Sequence, residues 1–276
     1  MRIGIASFLS AFSNHGSATT LDRLVAFSCQ VENAGFEGIW VGDAMGRGTP
    51  TLDPLTALAA LCSVTKRMEL GTSVLQVPIR EPVELAHRVQ TLNILSKGRL
   101  RFGVGAGSTR LDFTLVGANF EDRFKTLMSS VETMRSVWRG EPSNGVVLSP
   151  WAGEEAGPPI MMGAWRSKRW ISYAAEHCAG WIASGLFSKW ADAEAGVRAY
   201  REAGGKRAML VNVPVDLRDK PEYADEWAEV AQISLACKPA LAKERLQRIE
   251  QMGFDDVVLV LPDEDPRHLD MVRALI

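Results

Sequence analysis

The sequence predicts an α/β protein, a (β/α)8 TIM barrel that takes in residues 1–276 as a single domain. Three observations point there. Strand-length apolar runs alternate with helix-length amphipathic segments eight times along the chain. The runs are continuously apolar, as parallel strands covered on both faces must be. No Gly-rich linker or composition break divides the chain convincingly, although two smaller domains remain the alternative that length alone leaves open.

The first strand is read over residues 3–7 and its helix over 21–34, with Thr20 or Asp22 placed to satisfy the first-turn amides and Gly35 to stop it. GFEGIWVGDA carries the second strand, residues 39–41. Asp53-Pro54 opens a helix over LTALAALCSVT, because proline fits a first helical turn. LGTSVL is the third strand and PVELAHRVQTLNILS the third helix. RLRFGVG is the fourth strand, and the periodic segment 121–138 the fourth helix. The Gly/Pro/Ser-rich stretch 140–158 reads as a surface loop. PIMMG and GWIAS are strands five and six, with RSKRWISYAAEHC as the helix between them. A helix over 189–203 stops at Gly204-Gly205, and AMLVNVPV is strand seven. Helical stretches follow over 223–237 and 241–252, then DDVVLVLP as strand eight and a short helix after Pro266.

Hydrophobic residues make up 46% of the chain and charged residues 23%, ordinary for a large globular core. The net charge of −2 gives no basic face for nucleic acid. Cys29, Cys62, Cys178 and Cys237 are scattered without CxxC spacing, in apolar helical contexts or, for Cys178, at a helix end. They read as reduced, small core residues. MRIGIASFLS lacks the long apolar region of a signal peptide, and no run reaches ~20 apolar residues, so the expectation is a cytoplasmic protein with no membrane segment.

In this barrel class the chemistry sits at the C-terminal ends of the strands. Those ends are residues 8–10, Gly42-Asp43-Ala44, Thr72-Ser73-Val74, 105–108, 163–166, Ser184-Gly185, and Pro214 onward. None holds a histidine: His15 is in the first loop, His87 mid-helix, His177 at a helix end and His268 near the C-terminus. Hydrolytic triads and zinc sites are therefore poorly supported, no metal is expected, and a metal-dependent hydrolase would have only Asp43 to work with. The wealth of Gly, Ser and Thr suits a bound cofactor that brings its own reactivity.

Two segments could meet an anion. In GVGAG, residues 103–107, consecutive amides can point at a phosphate; a tight barrel corner where glycine avoids a clash is the alternative. The stretch is not a GxGxxG fingerprint, and no helix is read directly after it. In GAWRSKRW a strand ends at Gly163 and a helix starts near Ser167, so the backbone of Gly163, Ala164, Trp165, Arg166 and Ser167 faces outward with the positive end of the helix dipole. Lys168 and Arg169 read as a solvated first turn. Arg123 is either an anion ligand or the partner of Asp122 or Glu121. Phe8, Trp40, Met45, Phe113 and Trp165 could wall a pocket or belong to the core.

GFEGIWVGDA, TLDPLTALAALCSVTKRMELGTSVL, VPIREPVELAHRVQTLNILSKGRLRFGVGAG and PPIMMG followed by GWIASG resemble, in wording and order, the bacterial luciferase-like superfamily of flavin- and deazaflavin-dependent oxidoreductases. The resemblance spans nearly the whole chain and implies a luciferase-like TIM barrel using reduced FMN with oxygen, or a deazaflavin (coenzyme F420) as hydride carrier. By position it implies that Asp43 and Ser108 sit at the reacting centre. Thr72, Ser73, Val74, Gly105, Ala106 and Gly107 would then line the ring, with Arg123 and residues 163–167 holding the phosphate. It also implies a non-prolyl cis peptide between Ser73 and Val74.

The chain departs from the family where many relatives carry a histidine after the strand-two acid, here Ala44. A glutamate often follows the GxGxG turn, here Ser108, and Asn93 stands for an aspartate of the third helix. Both of the first two losses argue against a sugar-phosphate dehydrogenase mechanism with a histidine base. The expected activity is a monooxygenase acting on a small organic substrate, with a flavin reductase as a possible supplier of reduced flavin. Deazaflavin-dependent hydride transfer and a non-catalytic flavin-binding barrel are the alternatives. A homodimer is expected across the second and third helices, as in the resembling proteins, because PLTALAALCSV is apolar on more than one face.

Overall fold

Strand pairing closes on itself in the computed structural model, which describes residues 1–7, 20–46, 48, 50–219 and 232–276. Eight parallel strands form the ring: β1 (Arg2–Ser7), β2 (Gly38–Val41), β3 (Glu69–Thr72), β5 (Leu100–Gly105), β6 (Ile160–Gly163), β7 (Gly180–Ser184), β8 (Ala208–Asp216) and β10 (Asp256–Val260). Because β10 pairs with both β8 and β1, no edge is left open. Two short strands extend the ring: β4 (Leu75–Gln76) pairs with β5, and β9 (Leu235–Ala236) with β8. Outside lie α1 (Thr20–Asn33), α2 (Pro54–Val64), α3 (Pro82–Ser96), α4 (Arg110–Val116), α5 (Arg123–Trp138), α6 (Lys168–His177), α7 (Trp190–Glu202), α8 (Pro239–Gln251) and α9 (Pro266–Arg273).

Local chemistry sets these boundaries. The Asp53 carboxylate accepts the Thr56 amide at 2.8 Å and Pro54 occupies the first turn of α2. At α3 Glu81 accepts the Glu84 amide at 2.6 Å, and Lys97 ends the helix in the left-handed region, φ 56°. Glu32 ties α1 to the approach to β3. Burial works to raise its carboxyl, but the Arg67, Met68 and Lys66 amides and the Arg67 charge hold it below the usual range.

One apolar cluster fills the layer between strands and helices, and a smaller one, including Ala6, Trp40, Met161, Ile182, Met209 and Val258, fills the barrel interior. Trp40 is 2% exposed, and a Cβ on Gly71 would lie 2.2 Å from its ring. Its indole therefore plugs the barrel. Phe113 is likewise buried, edge-on to Phe120 at 5.1 Å, and Met45 is exposed and does not line the cavity. Of the five aromatic and methionine walls considered, Trp165 alone among the described residues reaches the cavity; Phe8, the strand end at 8–10 and His15 lie outside them.

Several expectations need correcting. The third strand, read as one run over LGTSVL, stops pairing after Thr72 and resumes at Leu75; between them lies the cis peptide of Ser73 and Val74, which is present as expected. A seven-residue helix, α4, begins three residues after Gly107, and the fourth helix starts at Arg123 because residues 121–122 form the turn before it. Of the stretch read as helix over 223–237, residues 223–231 lie outside the described region. The remainder is extended, Leu235 and Ala236 pairing with Val215 and Asp216. The four cysteines are free, but half-buried rather than core, and Cys237 is not helical. Burial pushes the Cys178 thiol up to about 11.

Candidate functional site

A cavity of about 860 Å³ opens at the C-terminal ends of the strands, within the usual size of cofactor and small-molecule sites. Its floor is a polar clamp. The Asp43 carboxylate follows β2 and accepts the Gln76 amide at 2.8 Å and both Arg80 Nη atoms at 2.6 and 3.0 Å. Gln76 Nε2 donates to Asp43 O (3.2 Å) and to Asp112 Oδ2 (2.8 Å), while Asp112 Oδ1 accepts the Met45 and Gly46 amides at 3.2 and 2.5 Å. Asp43 and Asp112 are both buried. With both oxygens of Asp43 engaged by a two-pronged guanidinium, the carboxylate ties the β2 and β4 ends together.

The glycine-rich corner is explained by protein atoms. A Cβ on Gly103 would lie 1.8 Å from the Thr72 carbonyl oxygen, and one on Gly105 would lie 2.4 Å from the Val74 side chain. These glycines let β5 pass against the bulge at residues 72–74, so the tight-corner reading accounts for them. Thr72 is fully buried there, its hydroxyl donating to Gly103 O at 2.7 Å, and it does not reach the cavity.

A different character prevails where α5 and α6 begin. Arg123 stacks its guanidinium on Phe120 (3.9 Å to the centroid) and Phe124 (4.6 Å), and Nη1 donates to Phe120 O at 2.9 Å. Its Nε is buried without a partner among the described residues. Glu121 pairs with Arg110 at 2.6 Å and Asp122 accepts from Asn119, so the ion pair considered for Arg123 is not formed. At α6, Ser167 takes the capping position in extended conformation without a side-chain cap, leaving first-turn amides available. Arg166 is exposed, 3.9 Å from Asp192, and Lys168 and Arg169 stand off the cavity in solvent. Two stacked pairs flank this end: Trp165 on Phe187 at 4.4 Å, and Phe124 on Trp170 at 6.0 Å. An incompletely satisfied arginine, open helix amides and aromatic faces fit the phosphate and flat ring that flavin and deazaflavin cofactors share.

Of the site residues that the family resemblance implied, Asp43, Ser73, Val74, Gly105, Ala106, Gly107, Ser108, Arg123, Gly163, Ala164, Trp165, Arg166 and Ser167 all line this one cavity, and Thr72 is the exception. Sequence reasoning missed Gln76, Phe124, Trp170, Phe187 and Asn212. A polar residue breaking an apolar run (Gln76 in VLQVP, Asn212 in VNVPV) was the available signal for two of them. Among the described residues, no group of three or more His, Cys, Asp or Glu side chains could hold a metal ion, and no helix is long and apolar enough to cross a membrane.

Comparison with known proteins agrees with this geometry. A Mycobacterium tuberculosis (strain ATCC 25618 / H37Rv) protein, provisionally named as a coenzyme F420-dependent oxidoreductase, is 30% identical over 201 residues, 62% of this chain and 56% of that one. The 4-hydroxyprotoasukamycin monooxygenase of Streptomyces nodosus subsp. asukaensis is 29% identical over 143 residues, 51% of this chain and 38% of that one. The aligned stretches thus span about half or less of these relatives' lengths. In fold, the crystal structure of monooxygenase RslO1 from Streptomyces bottropensis superposes with a TM-score of 0.84 at 16% identity, covering 100% of this chain and 98% of that one. The sequence profile of the luciferase-like monooxygenases matches residues 1–267, and the chain belongs to that family.

Proposed function

We propose that the cavity binds reduced FMN and that the protein is a monooxygenase acting on a small organic substrate. One observation carries this reading. Among the described residues that line the cavity, the ionisable ones are Asp43, Arg123 and Arg166, and Asp43 is fully engaged by Arg80 and Gln76. Oxidation of an alcohol by hydride transfer needs a base within reach of the hydroxyl proton, and this lining offers none. Oxygen chemistry on a reduced flavin does not begin with removal of a substrate hydroxyl proton.

Bound reduced FMN would supply the electrons that activate molecular oxygen. The protein's share is placement and shielding. Arg123, with the α6 amides and Arg166, would hold the phosphate; Val74 and the stretch from Gly105 to Ser108 would face the ring; Trp165 and Phe187 would keep water from it. Asp43 acts as a positioning residue, holding the β2 and β4 ends at a fixed separation through Arg80 and Gln76.

Coenzyme F420 as hydride carrier is the second reading, favoured by the name of the mycobacterial relative. Anaerobic titration of the purified protein with reduced FMN and with F420, followed by oxygen uptake in the presence of a flavin reductase, separates the two. Tighter binding of reduced FMN is expected, and tighter binding of F420 alone would overturn the assignment. The same reading takes a homodimer across α2 and α3. The apolar residues of α2 already pack within the chain, but Leu95 of α3 is 54% exposed, and sedimentation would report the state.

A further inference from the structure

β8 carries the one non-glycine strand residue, among the described residues, whose backbone is left-handed. Its residues are buried from Ala208 to Asp216 except for Asn212, which is half-buried and reaches the cavity. Asn212 has φ 58°, the left-handed region, within a strand. The register explains how it is accommodated. Leu210 pairs with Val257 and Val213 with Leu259, so three steps along β8 match two along β10, and residues 211–212 form a bulge. Bulges turn a side chain out of the regular alternation. A left-handed conformation for a residue other than glycine is uncommon and is retained where the surroundings fix it. The Asn212 carboxamide has no hydrogen-bond partner among the described residues. Val211, Ile182 and Met162 line the same cavity, and Ser184 of β7, which pairs with Val211, adds one hydroxyl, also without a partner among the described residues.

On the opposite side of the barrel, β3, β4 and β5 carry the cis peptide and the glycine corner, and Arg123 and Ser167 lie at the phosphate-fitting end. A flat ring placed against Val74 leaves the β8 wall to whatever else enters. We propose that Asn212 is the substrate-specificity residue of this cavity, its carboxamide selecting an otherwise apolar substrate that carries one hydroxyl or carbonyl oxygen. A carboxamide both donates and accepts, so it can hold either group, and an amide left unpaired by a plain hydrocarbon costs affinity. This inference rests on the flavin reading for its geometry but concerns a different wall.

The test uses the full chain and two matched probes, 2-naphthol and naphthalene, with FMN titrated separately. Wild-type protein is expected to bind naphthol at least about tenfold more tightly than naphthalene, the ratio set by one hydrogen bond. Naphthol should also move the side-chain amide resonance of Asn212, assigned by its loss in Asn212→Ala. In Asn212→Ala and Asn212→Gly the preference should fall to near one, while FMN affinity stays within about twofold. Asn212→Gly should melt at or above the wild-type temperature, since glycine accepts this φ freely. An undiminished preference in both variants would overturn the proposal. So would no preference in the wild type, including failure of either probe to bind, or an Asn212 resonance that answers to FMN and not to naphthol. Failure of FMN itself to bind the wild type would instead count against the flavin reading.

Discussion

Arg123 decides how the cavity treats charge. Its guanidinium lies between the Phe120 and Phe124 rings, one nitrogen satisfied by a carbonyl, another buried without a partner among the described residues, and no carboxylate among them pairs with it. Glu121, already paired with Arg110, feels the Arg123 charge only without contact, so an arriving phosphate would satisfy this partly buried cation better. Arg123→Ala is expected to weaken FMN binding by roughly 10- to 100-fold, the range for a hydrogen bond to a charged group of about 1.5–3 kcal/mol. Riboflavin, which has no phosphate, should bind both proteins alike. Arg123→Lys should recover only part of the loss, because a point charge replaces a planar fork. Flavin fluorescence titration reads all of these. If riboflavin weakens as much as FMN, Arg123 supports the fold and not the phosphate.

At the scale of elements, the passage of β5 beneath the residue 72–74 bulge sets the cavity floor. Thr72 holds the two strands together through Gly103 O, so neither can retreat from an added methyl group. Gly103→Ala would place a carbon 1.8 Å from a backbone oxygen, and melting should fall on the order of 5–10 °C or the protein fail to accumulate. Gly42, at the end of β2, meets nothing within 4 Å, and Gly42→Ala should melt within about a degree of wild type. Equal losses in a circular dichroism melt would refute the distinction. The same contrast shows what the sequence could carry. α3 and β7 have their expected bounds because proline, an acidic cap and apolar period act locally. α4 was hidden because Leu111 and Leu115 alternate with Phe113 like a strand and stand exposed rather than marking a buried helical face. The stretch around Leu235 has helix-forming composition, yet pairing with β8 wins. Asn212 needed the partner strand's register, which no local pattern records. The family motifs, by contrast, placed most of the cavity lining, since the residues at strand ends follow directly from the barrel's order.

Across the whole molecule, the cavity end and the opposite end divide the work. At the N-terminal end Glu69 of β3 meets Arg207 (2.7 Å), Arg101 (2.9 Å) and Arg2 (3.0 Å), while Asp256 of β10 meets Arg207 at 2.7 Å. The network joins β1, β3, β5 and β10 with the residue preceding β8, so it braces strands that are not neighbours in the ring. Burial works to raise the Glu69 carboxyl, but the Arg207 hydrogen bonds and the charges of Arg207, Arg101 and Arg2 hold it below the usual range. A carboxyl lowered on folding stabilises the native state above its unfolded pKa, about 4.3 for glutamate. That contribution is lost as pH falls through the folded value. Urea unfolding should therefore show little change due to this group between pH 7 and 5, then a decline below about pH 4.3. Glu69→Gln leaves Arg207 and Arg2 to Asp256 alone and takes from Arg101 its Glu69 carboxylate; it should cost about 3 kcal/mol at pH 7, with a shallower acid decline. FMN affinity should be unchanged in this variant, because the flavin-fitting residues lie at the other end of the strands. An acid decline as steep in Glu69→Gln as in wild type would show that other carboxylates govern it. Loss of FMN binding in a folded variant would show that the two ends are coupled through the barrel after all.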